Sequence, residues 1–104
     1  MSLDPAERGT LAISETAVAR IAARAATEVH GAGEPPGRGS GAAATVRGPA
    51  AALRVRASID YPLPVRATVD AVRSHLIRRV GDLTGLTVTQ VDITVSALRT
   101  RSAG

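Results

Sequence analysis

The chain has 104 residues, the size of one small domain, and its 13 basic side chains are all arginine against nine carboxylates, a net charge of +4. Cys, Lys, Phe and Trp are absent, which excludes a disulfide framework, a thiolate zinc site, a thiol nucleophile, Schiff-base chemistry and a phosphate loop of the Walker type. The hydrophobic share of 44% includes 20 alanines, so a thin core must be built from 11 Val, 8 Leu and 5 Ile.

Residues 1–8 read as a flexible N-terminal tail, with Asp4 and Glu7 and no apolar stretch of the kind a signal peptide carries. Gly9 to Ile13 has the pattern of a short strand, Leu11 and Ile13 sharing a face. Ser14 is placed to cap a helix, and Glu15 follows in its first turn, where the helix dipole favours a negative charge. Val18, Ile21, Ala22, Ala25 and Val29 recur at helical spacing, which predicts a helix to about Val29 with Gly31 as its left-handed cap. Ala19, Ala23 and Ala26 widen the stripe sideways, so this helix is expected to touch more than one surface.

Residues 31–42 hold five glycines and the pair Pro35-Pro36, which predicts a flexible loop. They do not form a dinucleotide fingerprint, because the sixth position of a pattern starting at Gly31 is Pro36. Ala43 to Arg47 is a weak strand, and Gly48-Pro49 a turn. Leu53, Val55, Ala57 and Ile59 then alternate with Arg54, Arg56, Ser58 and Asp60, the pattern of a strand with one wet face. Pro62 and Pro64 end it.

A second helix starts near Val65, with Val65, Val69, Val72, Leu76 and Val80 as its buried stripe and Arg66, Asp70 and Arg73 spaced to pair along its flank. Residues 81–86 close it in a turn. Val91, Ile93, Val95 and Ala97 alternate with Asp92, Thr94 and Ser96 in a last strand, after which residues 99–104 read as a C-terminal tail. The order is β-α-β-β-α-β in a single α+β domain over residues 9–98. It predicts a two-layer sandwich, two helices on one face of a mainly antiparallel sheet, for which the ferredoxin-like arrangement is the common solution.

Charge is divided unevenly along the chain. Residues 1–34 carry three arginines and five carboxylates, and residues 35–104 carry ten and four. A basic half suggests an acidic partner such as nucleic acid, an anionic membrane surface or an acidic protein. Arg54 and Arg56 share the wet face of one strand, and they carry the nucleic-acid reading. Against it, a sheet that binds single strands stacks bases on aromatic side chains, and Tyr61 at a turn is the one aromatic here. The apolar runs reach about four residues, far short of the ~20 of a membrane span. Neither helix pairs a bulky apolar face with a continuous basic one, so direct membrane insertion is not expected.

Catalysis finds no support in the pattern. His30 lies at the end of the first helix and His75 off the apolar stripe of the second, both as surface or capping residues without acidic neighbours at metal-ligand spacing. The seven serines include no nucleophile elbow. No catalytic, cofactor-binding or metal-binding residue is assigned, and no cofactor is expected. The candidate interaction face is Arg54, Arg56, Ser58, Asp92, Thr94 and Ser96, together with the strand edges, which invite pairing with another copy.

Two stretches carry a family resemblance. One is Gly9-Thr10-Leu11-Ala12-Ile13-Ser14 followed by Val18, Ile21-Ala22, Ala25 and Glu28-Val29-His30-Gly31. The other is the strand Leu53 to Asp60 ending in Tyr61, then an amphipathic helix, Leu83-Thr84-Gly85-Leu86, Val88 and Val91-Asp92-Ile93-Thr94-Val95. In order and spacing these resemble the alkaline shock protein family, also called envelope stress response proteins, over about residues 9–98. The chain departs from the family pattern at Pro62, where glycine is usual, and in its Gly/Pro-rich, lysine-free middle. The resemblance implies a non-catalytic, self-associating scaffold of the cytoplasm, linked to envelope homeostasis and stress. It also implies a homo-oligomer that is held near the membrane by a membrane-anchored protein of the same family. The alternative is a regulatory nucleic-acid-binding domain on a basic sheet face, and a small-ligand sensor of the same shape is a third class.

Overall fold

A computed structural model describes residues 14–37 and 41–100. In chain order the elements are α1 (Glu15–Ala26), β1 (Ala32–Gly33), β2 (Ala42–Arg47), β3 (Ala50–Tyr61), α2 (Val65–Thr84) and β4 (Thr87–Thr100). The strand expected at Gly9 to Ile13 and the tail at 1–8 lie outside the described residues. The described elements form an α+β, two-layer fold.

Local chemistry explains where α1 begins and ends. Ser14 Oγ accepts from the Ala17 amide at 3.0 Å, which satisfies one free donor of the first turn. The helix stops at Ala26, three residues before Val29, because the chain tightens there. The Thr27 amide donates to Arg24 O and the Glu28 amide to Ala25 O, while Thr27 Oγ1 also donates to Arg24 O at 2.8 Å. The cap is therefore Thr27, in right-handed geometry. Gly31 serves a later turn instead, at φ +91°, and a Cβ there would lie 2.6 Å from Leu63 Cδ1. Glycine is favoured at that point by its φ, and the Leu63 tip would have to turn aside for a larger residue.

The glycine-rich segment is not wholly loop. Ala32–Gly33 pairs antiparallel with Ile59 and Ser58 of β3. β2 pairs antiparallel with the first half of β3, from Ala42 opposite Val55 to Arg47 opposite Ala50. Gly48 at φ +57°, in the first central position of the two-residue connection, lets this hairpin close tightly. β4 pairs with β3 in parallel along its length, from Ala50 opposite Thr87 to Tyr61 opposite Thr100. A strand has two edges and β4 occupies one, so β1 and β2 lie end to end along the other.

Two of the three pairings are antiparallel, as expected, but the longest is parallel. The ferredoxin-like ordering separates the strands that flank each helix, whereas here β3 and β4 are direct neighbours joined through α2. That connection requires a parallel pair, since the helix returns the chain to the end where β3 began. β4 is also longer than its alternation suggests. The tail expected from residue 99 is not one at Arg99 and Thr100, which continue the pairing.

The helices cover one face of the sheet. Val18, Ala22, Ala25 and Ala26 of α1 and Val72, Leu76 and Val80 of α2 are buried with Leu53, Val55, Ile59 and Val91. The wide alanine stripe of α1 contacts β2, β3 and α2 together. In α2 the buried row is Thr68, Val72, Leu76 and Val80, spaced by four. Val65 is exposed, and Thr68 takes a place in the row by donating its hydroxyl to Pro64 O at 2.8 Å. Gly85 ends α2 in the left-handed region at φ +75°, its amide donating to Gly81 O.

Polar ties join elements distant in sequence, among them Arg73 Nε of α2 donating to Val91 O of β4 at 3.4 Å. Glu15 Oε2 accepts from the Val46 amide at 2.9 Å. Val46 stands opposite Ala51 at a non-hydrogen-bonded position of the ladder, so this amide points away from β3, and Glu15 occupies the outer edge of β2. His75 Nε2 lies 2.8 Å from Glu28 Oε1, with Arg79 Nε at 3.6 Å from the same oxygen, linking α2 to the turn after α1. The His75 hydrogen bond holds the Glu28 carboxyl below its ordinary value; partial desolvation opposes this and Arg79 adds to it. Finally, Arg99 Nη2 and Nε reach Asp60 Oδ1 at 2.7 and 3.1 Å.

Candidate interface on the outer sheet face

The face of the sheet away from the helices follows from strand alternation. Residues Ala43, Thr45 and Arg47 of β2, Arg54 and Arg56 of β3, and Asp92 and Thr94 of β4 project there and are exposed. Arg54 stands between Ala43 and Asp92, and Arg56 is opposite Thr94. The four expected residues Arg54, Arg56, Asp92 and Thr94 come together around a shallow depression of about 330 Å³, with Gly41, Ala42, Ala43 and Val55 completing it.

Ser58 and Ser96 do not belong to that surface. Ser58 lies on the same side of β3 but is fully buried, its hydroxyl donating to Glu34 O at 2.9 Å. Asp60 is covered too, at 7% exposure. The backbone after β1 folds over this end of the sheet, and the Arg99 guanidinium closes it. A Cβ on Gly33 would meet that guanidinium, so the two segments are in close contact. Alternation alone marks Ser58 and Asp60 as wet, because it carries no record of a loop that returns across them.

Ser96 is displaced for a different reason. The pairing shifts between Ala57 and Ser58, which face Val95 and Ala97, leaving Ser96 as an extra residue in β4. It is half-buried, and its hydroxyl donates to Ala57 O at 3.3 Å. One inserted residue reverses the facing of all that follows. Leu98 therefore falls opposite Ile59 on the helix side, but beyond the cover of a helix, and is 54% exposed. A second shift between Ala51 and Ala52 leaves Thr89 as the extra residue, with its hydroxyl donating to Ala51 O.

The electrostatics of the outer face are basic and unneutralised. Among the described residues, Arg47, Arg54 and Arg56 have no carboxylate within 4 Å, and Asp92 accepts from Gln90 Nε2 at 3.0 Å rather than from Arg54. On α2, Arg73 pairs with Asp70 at 3.2 Å, and Arg66 joins neither. His30 is exposed in the turn before β1, and His75 is engaged by Glu28. Among the described residues no cluster of three or more His, Asp or Glu side chains is placed to hold a metal ion. No helix there is long and apolar enough to cross a membrane. No family model, curated protein or solved structure matches this chain.

Proposed function

We propose that this protein is a non-catalytic interaction module that associates with copies of itself through β4, and that it acts as a scaffold near the inner face of the cell envelope. The cellular setting rests on the resemblance to the alkaline shock protein family. The self-association rests on one observation, the length of β4 at the edge of the sheet. Side chains engage single backbone groups at both sides, Glu15 accepting from the Val46 amide and Arg73 Nε donating to Val91 O at 3.4 Å. β4 runs for 14 residues and pairs with β3 alone among the described residues. About half of the peptide groups of such a strand face away from its neighbour, an exposed template for another strand. Leu98 adds exposed apolar surface on the same strand.

The test is the oligomeric state across concentration, measured by light scattering, together with hydrogen exchange of the β4 amides. Growth in mass should be accompanied by protection of β4. A double substitution, Thr94→Lys with Leu98→Lys, places charge on exposed positions of the edge strand and should shift the assembly toward monomer while leaving the fold intact. A chain that stays monomeric at high concentration refutes self-association, as does a β4 edge already protected in the monomer by residues of its own chain.

A basic outer face supports a second reading, a regulatory domain that binds nucleic acid. Arg47, Arg54 and Arg56 project on one side without ion-pair partners among the described residues. Binding to duplex DNA or RNA at low salt, weakened by Arg54→Ala, would support it. Binding unaffected by that change, or no binding, would exclude this face.

A further inference from the structure

The two halves of β4 differ in what covers them. Val91, Ile93 and Val95 lie under α2 and are buried or half-buried. The Arg73 side chain of that helix donates to Val91 O at 3.4 Å and so places a charge at this stretch of the edge. After the extra residue at Ser96 no helix covers the strand, and Leu98 is 54% exposed. The peptide groups of Leu98 also face outward. The Asp60 amide donates to Gly31 O on the β1 side of β3, so the adjacent Ile59 directs its own groups toward β4. In a parallel pair such a residue bonds to the two that flank its partner, here Ala97 and Arg99 on either side of Leu98. Leu98 N–H and C=O therefore lie on the free edge.

Exposed apolar surface gathers at the same end. Ile59 stands opposite Leu98, and Tyr61, two residues further along β3, shares that side of the sheet and is 58% exposed. A short connection, tightened by the Leu63 amide donating to Asp60 O, leads to Val65, which starts α2 and is also exposed. Tyr61, Val65 and Leu98 are three of the five large apolar side chains exposed among the described residues, so the apolar surface is concentrated here. Charge favours this end too. Arg99 is neutralised by Asp60 at 2.7 Å. Arg47, Arg54 and Arg56 on the outer face have no carboxylate within 4 Å among the described residues, and they repel a second copy.

We propose that two copies of this chain pair about a two-fold axis at Leu98, with Tyr61 and Val65 of each copy completing an apolar contact. This rests on the self-association through β4 and names the part of the strand that carries it. The same patch serves both copies, so the strands run antiparallel and Leu98 stands beside its counterpart. The two α2 helices fall on opposite sides of the axis, because each covers only the earlier half of its β4. Such a contact is closed, and growth stops at the dimer. About half of three side chains amounts to roughly 300 Å² per copy, below the ~800 Å² of a standard interface, so the dimer is weak and forms at roughly 100 µM and above.

Tyr61 is the single aromatic residue of the chain, so its fluorescence reports on this patch alone. The experiment combines light scattering with acrylamide quenching of Tyr61, on the full chain from about 10 µM to about 1 mM. The mass should rise to twice that of the monomer and no further, and quenching should fall about twofold as the ring is covered. Leu98→Ser should weaken the association by about tenfold or more, while Ile77→Ser, an exposed apolar site on α2, should change it by less than about twofold. Both side chains are about half exposed, and circular dichroism checks that the fold is kept. Doubling of the mass with Tyr61 as accessible as before overturns this contact and leaves self-association standing. Equal weakening by Ile77→Ser, or growth past the dimer, overturns it as well. A chain that stays monomeric overturns both.

Discussion

Replacing Leu76 by alanine tests how this alanine-rich core is held. Leu76 is fully buried in the row of α2 that faces the sheet, one of few large side chains with no exposure. The change removes three carbon groups, worth about 0.8 kcal/mol each in transfer from water. A cavity term adds to this unless neighbours move in. Here the core around it is rich in short side chains, with Ala22, Ala25, Ala26 and several valines, which cannot reach far into a gap. The expected loss is therefore about 3–5 kcal/mol, in the upper part of the range for such substitutions. For a domain this size, each kcal/mol lowers the melting temperature by about 4–8 °C, so a fall of at least ~12 °C should be visible by circular dichroism. Ile77→Ala is the matched control. The neighbouring side chain is 45% exposed, and its loss should cost no more than about 1 kcal/mol. Similar losses for the two variants, or a loss below about 1 kcal/mol at Leu76, would refute the packing of α2 through the 68, 72, 76, 80 row.

Three further outcomes are expected. Ser14→Ala should cost about 1 kcal/mol in thermal or urea unfolding, by removing the cap on the Ala17 amide. Arg99→Ala should cost about 1 kcal/mol, the worth of one half-exposed charged hydrogen bond to Asp60, and Gly33→Ala should act through the same contact by displacing that guanidinium. The double variant should then lose much less than the sum of the two, and strict additivity in a double-mutant cycle would refute the coupling. Glu28 has a lowered pKa in the folded chain, so its contribution is present above its ordinary value of 4.5 and lost as pH falls below it. Melting temperature measured from pH 6 to pH 3 should fall less steeply for Glu28→Gln than for the parent chain, and identical slopes would refute the role assigned to its contact with His75.

Much of the candidate face is legible along the chain. Alternation alone places Arg54 and Arg56 on one side of β3 and Asp92 and Thr94 on one side of β4, and the structure joins these four in one depression. It fails at Ser58 and Ser96, where a returning loop and an extra residue intervene.

The amino-acid sequence by itself determines the elements that rest on neighbours along the chain. These are the Ser14 cap, the outward facing of Arg54, Arg56, Asp92 and Thr94 and the α+β class. Such features depend on contacts within a few residues, where side-chain spacing and backbone preference act directly. Tertiary structure alone decides that β3 and β4 are parallel neighbours, that Ala32–Gly33 is a strand, and that Glu15 reaches the Val46 amide of β2. Period-two alternation records which side a residue faces and is silent on which strand lies beside it. That choice belongs to the packing of two helices over one thin aliphatic core.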